Sequence, residues 1–243
     1  VSGSNAPQMS AEAYAMNFID SVCQMTKQFT TVLALTACLA TVAQAQGVQG
    51  NAKAGQAINA MCIGCHGIKG YQSSFPEVHK VPMISGQSAV YIAASLNAYK
   101  KGERKHPTMR AVSESLTDQN IADLSAYYAA HGAVEGQSAP KAPPAASAEI
   151  VALLNKTNCA SCHGANFNVA ISPAYAKLAG QHADYLYVAL KAYKTDNNPR
   201  IGRANPIMAS IAKQYTNAEL KLLANYLSKV DGDLKTVSEK RFR

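Results

Sequence analysis

Cys62, Cys65 and His66 form the pattern C-x-x-C-H, and Cys159, Cys162 and His163 repeat it. A glycine follows each copy, Gly67 and Gly164. Two thiols three residues apart on an incipient helical turn share a face, so both can add to the vinyl groups of one porphyrin. The adjacent imidazole can then meet the iron as its proximal ligand. The pattern therefore reads as covalent c-type haem attachment, with two haem c groups held through Cys62, Cys65, Cys159 and Cys162. A redox dithiol would want a βαβ context, which is absent here. A zinc site built from both cysteine pairs would give His66 and His163 no reason to follow a cysteine.

The iron needs a sixth ligand, for which histidine and methionine are the usual choices. The second half of the chain offers only Met208 and His182 besides the motif. Met208 lies in Asn205-Pro206-Ile207-Met208, read as an irregular stretch, whereas His182 sits at a helix start, where capping or solvation is the ordinary role. The first half offers Met61, Met83, Met109, His79, His106 and His131. Met61 adjoins Cys62 too closely to cross the ring, and Met109 occupies the position equivalent to Met208. The expected iron ligands are His66 and Met109 for the first haem and His163 and Met208 for the second. A lone methionine is ordinarily core filler, but two at matched positions of a repeat argue for ligation. With both axial positions filled, one-electron transfer is the expected work. Tyr91, Tyr99, Tyr185 and Tyr193 are assigned equally to haem or propionate contact and to packing.

The elements that position these residues also repeat. Gly86-Gln87 corresponds to Gly180-Gln181, Tyr91 to Tyr185, Tyr99-Lys100 to Tyr193-Lys194, Leu124 to Leu223 and Tyr127 to Tyr226. The offset is 97 residues at the motifs, 94 in the middle and 99 at the end. Two tandem domains follow, not a solenoid. Each half reads as three main helices. The first runs up to the motif (52–61; 148–155). The second follows Gly-Gln, with Ser88 as N-cap, and aligns Ile92, Leu96 and Tyr99, or Leu186, Leu190 and Tyr193. The third starts at Thr117 and at Thr216, where Thr216-Asn217-Ala218-Glu219 is a capping box. Gly102 suits a helix stop. The fold class is all-α, with domains at 47–134 and 149–230, a Pro/Ala-rich linker at 135–148 and a charged, frayed tail at 231–243. Each domain is small for a self-sufficient core, so the haem is expected to be part of the fold.

Residues 25–45 read as a secretory signal: Met25-Thr26-Lys27-Gln28, an apolar run from Phe29 to Val42, and Ala43-Gln44-Ala45 as the cleavage site. Residues 1–24 read as an over-extended frame or as an extension of unknown role. Leu35-Thr36-Ala37-Cys38 offers a lipoprotein box as an alternative to cleavage at Ala45. Either reading places the mature protein in the periplasm. Its charge is basic, +8 over 243 residues. Removal of residues 1–45 takes away Lys27, Glu12 and Asp20, leaving 22 basic and 13 acidic residues, or +9. Four haem propionates would offset part of this. No clustered basic groove with interleaved aromatics points to nucleic acid.

The paired motifs, the Gly-Gln-x-x-x-Tyr segments, the two methionines and the closing Leu-x-x-Tyr helices (Leu124/Tyr127; Leu223/Tyr226) resemble the dihaem cytochromes c4, within class I cytochromes c. The resemblance covers residues 52–230. It implies two class I haem domains, packed with their haems near each other, in a periplasmic and often membrane-associated carrier. The implied partners are a quinol-oxidising complex and a terminal oxidase, and a monomer is expected. It further implies a backbone carbonyl accepting a hydrogen bond from each haem histidine. Pro82 fits that role, and Ala176 holds the matching place in the second half. Two competing readings are the cytochrome subunit of a larger dehydrogenase, such as a flavocytochrome oxidising sulfide, and a dihaem peroxidase. The peroxidase would need a vacant distal site, which the two methionines argue against.

Overall fold

A computed structural model describes residues 48–132 and 142–238. The signal segment, residues 1–24, Cys38, residues 135–141 of the linker and residues 239–243 of the tail lie outside the described residues. Among those described there are ten helices, five in each half, and four strands of two residues each. The architecture is helical, as expected, with two cytochrome c domains. No described helix is long and apolar enough to cross a membrane.

The first-half helices are α1 (Ala52–Ala57), α2 (Ala60–His66), α3 (Ala89–Lys100), α4 (Pro107–Glu114) and α5 (Asp118–Ala130). The second-half helices are α6 (Ala148–Lys156), α7 (Ala160–His163), α8 (Ala183–Lys194), α9 (Pro206–Ala212) and α10 (Asn217–Leu227). The expected first helix, 52–61, is broken. Ile58 leaves helical geometry, and the buried Asn59 carbonyl accepts from the amides of Cys62 and Ile63 to start α2 afresh. In the second half the break falls at Asn158, whose φ of 50° is a left-handed conformation that asparagine tolerates.

Caps read from sequence form where expected. The Ser88 hydroxyl accepts from the Tyr91 amide, and Thr216 and Glu219 satisfy each other's amides reciprocally. Thr117 and Asn120 form a second capping box that uses an amide side chain. The stretches carrying Met109 and Met208 are not irregular. Each is a short helix with proline at its first position, where φ is already helical and the missing N–H costs nothing.

The expected apolar faces divide by depth. Ile92 joins Leu124, Tyr127 and Tyr128 in the first core, with Leu96 packed against it. Leu186 joins Phe167, Ala179, Ala224, Leu227 and Val230, and Leu190 packs on a neighbouring cluster around Leu153 and Leu220. Tyr99 and Tyr193 turn instead toward the seam between the halves.

That seam is built from paired elements. β1 (Gln72–Ser73) and β2 (His79–Lys80) form a ladder within the first half. β3 (Arg104–Lys105) and β4 (Gly202–Arg203) pair antiparallel across the seam, Arg104 opposite Arg203. Lys80 contacts Asp184, its amide donating at 3.0 Å and its ammonium lying 3.6 Å away. Glu77 and Lys191 form a further ion pair.

The stretch from Asp231 to Ser238 is ordered rather than frayed, which corrects the expectation for the described part of the tail. The Lys235 amide donates to the Ser85 carbonyl at 3.0 Å, and the Ser238 hydroxyl to the Gly67 carbonyl at 2.8 Å. Asp233 is held by Lys177 at 2.8 Å and by the Asn168 side-chain amide at 3.0 Å. Gly86 is required where this strand crosses: its φ is +84°, and a Cβ there would lie 2.5 Å from the Asp233 carbonyl oxygen. The second half thus returns across the first.

Candidate haem sites

α7, with Cys159 at its N-cap position, presents Cys159, Cys162 and His163 to a cavity of about 390 Å³ that Met208 also lines. The four second-half residues chosen from the sequence therefore meet in one place. α9 brings Met208 there: Asn205 caps the helix, its side-chain oxygen accepting from the Met208 amide at 2.9 Å, which fixes the first turn. Leu186, Leu190, Ile211 and Leu227 supply apolar wall. Gly164, at φ +79°, lets the chain turn immediately after His163, and a Cβ there would lie 1.9 Å from the Val169 carbonyl oxygen.

The first half repeats the local elements, though its candidate residues share no described cavity. Cys62, Cys65 and His66 lie on α2. Met109 takes the same place on α4 as Met208 on α9, with His106 as the cap, its ring nitrogen accepting from the Met109 amide at 3.4 Å.

The histidines are held for ligation. His66 Nδ1 lies 2.8 Å from the Pro82 carbonyl oxygen and His163 Nδ1 lies 2.9 Å from that of Ala176. Each carbonyl can only accept, so each imidazole carries its proton on Nδ1 and leaves Nε2 free for a metal. Burial lowers the pKa of both rings, against the opposing pull of these hydrogen bonds. They are neutral at neutral pH, as ligation requires. Burial also pushes the Cys62 thiol up to about 11. That is the opposite of the lowered pKa that activates a redox dithiol.

The other candidate ligands have different surroundings. Met61 is 63% exposed. The Met83 backbone is engaged by the second half. His131 stacks on Tyr127 at 4.6 Å and its Nδ1 contacts the Ser85 hydroxyl. His79 is buried, with Nδ1 2.8 Å from the Glu77 carbonyl oxygen and its ring edge-on to His106. His182 begins α8 without a side-chain capping bond.

Sequence reasoning missed Arg104 and Arg203. Both line the large cavity, which crosses from the second half into the first. Arg104 donates to the Tyr91 hydroxyl at 2.9 Å and Arg203 to that of Tyr185 at 3.0 Å. Tyr99 and Tyr193 flank them, with guanidinium-to-ring distances of 5.7 and 5.4 Å. The four tyrosines are therefore arginine partners. Among the described residues neither guanidinium has a carboxylate within ion-pair distance. Two half-buried cations facing one cavity without anions would be costly alone. Haem carboxylates are the counter-charge this arrangement fits. The signal was in the repeat: each arginine lies five residues before its methionine.

The second-half residues thus fit haem on three counts: paired thiols beside a pre-oriented imidazole, a thioether lining the same cavity, and two cations on its wall; the first half shares the first of these and the matched methionine. The comparisons with known proteins agree. The Cytochrome c family model matches residues 52–130 and again 147–231. Cytochrome c4 of Pseudomonas aeruginosa is 30% identical over 183 residues, 73% of this chain and 88% of that protein. The chain belongs to the dihaem cytochrome c4 family.

The cytochrome c4 structure from Acidithiobacillus ferrooxidans superposes with a TM-score of 0.54 at 30% identity, covering 71% of this chain and 99% of that one. A thiosulfate dehydrogenase electron acceptor of Thiomonas intermedia is 27% identical over 176 residues, 70% of this chain and 78% of that protein. As a member of this family the chain is a dihaem electron-transfer protein with two haem c groups, and Cys62/Cys65 and Cys159/Cys162 have the C-x-x-C-H spacing. When bound, each haem supplies a one-electron Fe(III)/Fe(II) couple; the chain's residues hold, orient and shield it.

Proposed function

We propose that the chain is a periplasmic carrier that takes single electrons from a quinol-oxidising complex and passes them toward a terminal oxidase. Its irons are ligated by His66 and Met109 and by His163 and Met208. One observation carries this reading: Met109 and Met208 occupy the same turn of the same proline-initiated helix in both halves, and Met208 lines the cavity that His163 enters. Histidine–methionine ligation fills the coordination sphere and raises the potential, which suits a carrier and leaves no open position for peroxide. Peripheral association with the membrane would bring it to both partners.

The resemblance to a thiosulfate dehydrogenase electron acceptor favours a second reading, in which the donor is a dehydrogenase of sulfur compounds. The deciding experiment is an optical redox titration of the purified holoprotein with haem counted per chain, followed by stopped-flow reduction by each class of donor. The carrier reading expects two low-spin haems with sulfur-to-iron charge-transfer absorption and no response to peroxide. A haem that is high-spin or binds peroxide would overturn it in favour of a peroxidase. Fast reduction by the sulfur-compound dehydrogenase alone would select the second reading.

A further inference from the structure

Both glutamines of the Gly-Gln pairs reach the wall of the large cavity, and both are buried, Gln87 at 5% and Gln181 at 4% exposure. Each reaches into the other half. Gln181 Oε1 accepts from the Met83 amide at 3.0 Å, and its Nε2 donates to the Met83 carbonyl at 2.9 Å. Gln87 Oε1 accepts from the Lys177 amide at 3.0 Å, and its Nε2 donates to the Lys177 carbonyl at 3.0 Å. These are matched two-point clamps, related by exchange of the halves.

The clamped positions follow directly on the carbonyls that accept from the haem histidines. The Pro82 carbonyl and the Met83 N–H belong to one planar amide, as do the Ala176 carbonyl and the Lys177 N–H. So one amide accepts from His66 Nδ1 through its oxygen and donates to Gln181 through its nitrogen. A second amide does the same between His163 and Gln87. Hydrogen bonds in series polarise one another. Donation by the N–H makes the carbonyl a better acceptor, and a better acceptor makes the imidazole a stronger electron donor.

We infer that Gln181 and Gln87 are cross-domain positioning residues: each sets the donor strength of the histidine on the other half's haem. Each haem's potential is thereby tied to the docking of the opposite domain. The inference rests on the reading of His66 and His163 as iron ligands. Its direction is fixed: loss of the glutamine acceptor weakens the carbonyl, the imidazole gives less density to the iron, the ferric state is less stabilised, and the potential of the opposite haem rises.

The test uses the ferrous holoprotein with ¹⁵N-labelled histidine, read by the Nδ1–H resonances of His66 and His163 alongside a redox titration. The unsubstituted protein must show one such resonance per haem. Their absence would overturn the ligand reading itself, whatever the glutamines do. Gln181→Met keeps length and removes the acceptor. It should move the His66 resonance upfield and raise the first haem's potential, with His163 unmoved; Gln87→Met should do the converse. Gln181→Glu keeps an acceptor and should leave the His66 resonance at or downfield of its original position. The inference is overturned if Gln181→Met moves His163 instead, if it moves both histidines equally as simple domain separation would, or if the Met and Glu variants shift His66 alike.

Discussion

Arg104 and Arg203 face each other as partners in the two-residue ladder that joins the halves, and neither has a carboxylate partner among the described residues. Burial works against the charge on each, but the tyrosine hydroxyls around them keep both guanidiniums ionised. The carboxylates of a bound haem would supply the anions that these two like charges lack.

Loss of one of these cations should therefore lower the haem potentials, because the oxidised iron carries the extra positive charge. At an effective dielectric of about 20, a unit charge some ~10 Å away contributes on the order of 1–2 kcal/mol. Arg203→Gln should shift the titration curves downward by an energy of that order, and Arg203→Lys should recover much of the shift. Unchanged potentials in Arg203→Gln would mean that the guanidinium does not act on either haem.

The methionine assignments make a separable prediction. Met208→Ala should abolish sulfur-to-iron absorption for one haem and lower that haem's potential, while the other stays six-coordinate. Met109→Ala should do the same to the first haem. Spectra of either variant that retain both sulfur bands would assign the ligand elsewhere.

Much of this was legible in the sequence because the chemistry is local. Two thiols and an imidazole at fixed spacing identify the attachment sites without a fold, and the repeat offset matches Met109 to Met208. The Thr216 capping box is likewise a four-residue signal. What was not legible depends on contacts between the halves. Tyr91 and Tyr185 look like core aromatics until Arg104 and Arg203 arrive beside them. The tail was read as frayed from its charge, but Asp233 is held by Lys177 and Asn168, and Lys235 by the Ser85 backbone, none of them near in sequence. The break at Asn59 was missed because alanine-rich flanks continue the helical pattern through it, and only burial of Asn59 ends the first segment.

The seam should be acid-labile. Burial raises the Asp184 pKa, but donation by the Lys80 and Tyr185 amides and the charge on Lys80 outweigh it, and the net shift is downward. Asp233 is also lowered, its burial outweighed by Lys177 and Asn168. A depressed folded-state pKa gives stabilisation that is complete above the unfolded value, about 3.9. It is lost as pH falls below that value through the folded one. The thermal midpoint should hold down to about pH 4 and drop below it, in part through these groups. Asp184→Asn with Asp233→Asn should be less stable at the higher pH and show a shallower drop. An equally steep drop in that double variant would place the acid sensitivity elsewhere.

Haem removal should unfold the second half. Its cavity of about 390 Å³ opens between the helices that carry its ligands. At about 24 cal/mol per Å³, an empty apolar cavity of that size would cost up to ~9 kcal/mol. That is comparable with the whole stability of a typical domain, about 5–15 kcal/mol. Water entering past Arg104 and Arg203 would relieve part of the cost, but not the lost contacts of Leu186 and Leu227. Cys159→Ala with Cys162→Ala and His163→Ala, which removes every proximal attachment, should lose much of the second half's helical signal in far-ultraviolet circular dichroism. It should become sensitive to proteolysis within α8 and α9. The first half should keep its haem spectrum but lose the clamps from Gln181. A fully helical, protease-resistant triple variant would show that the second half folds without its cofactor.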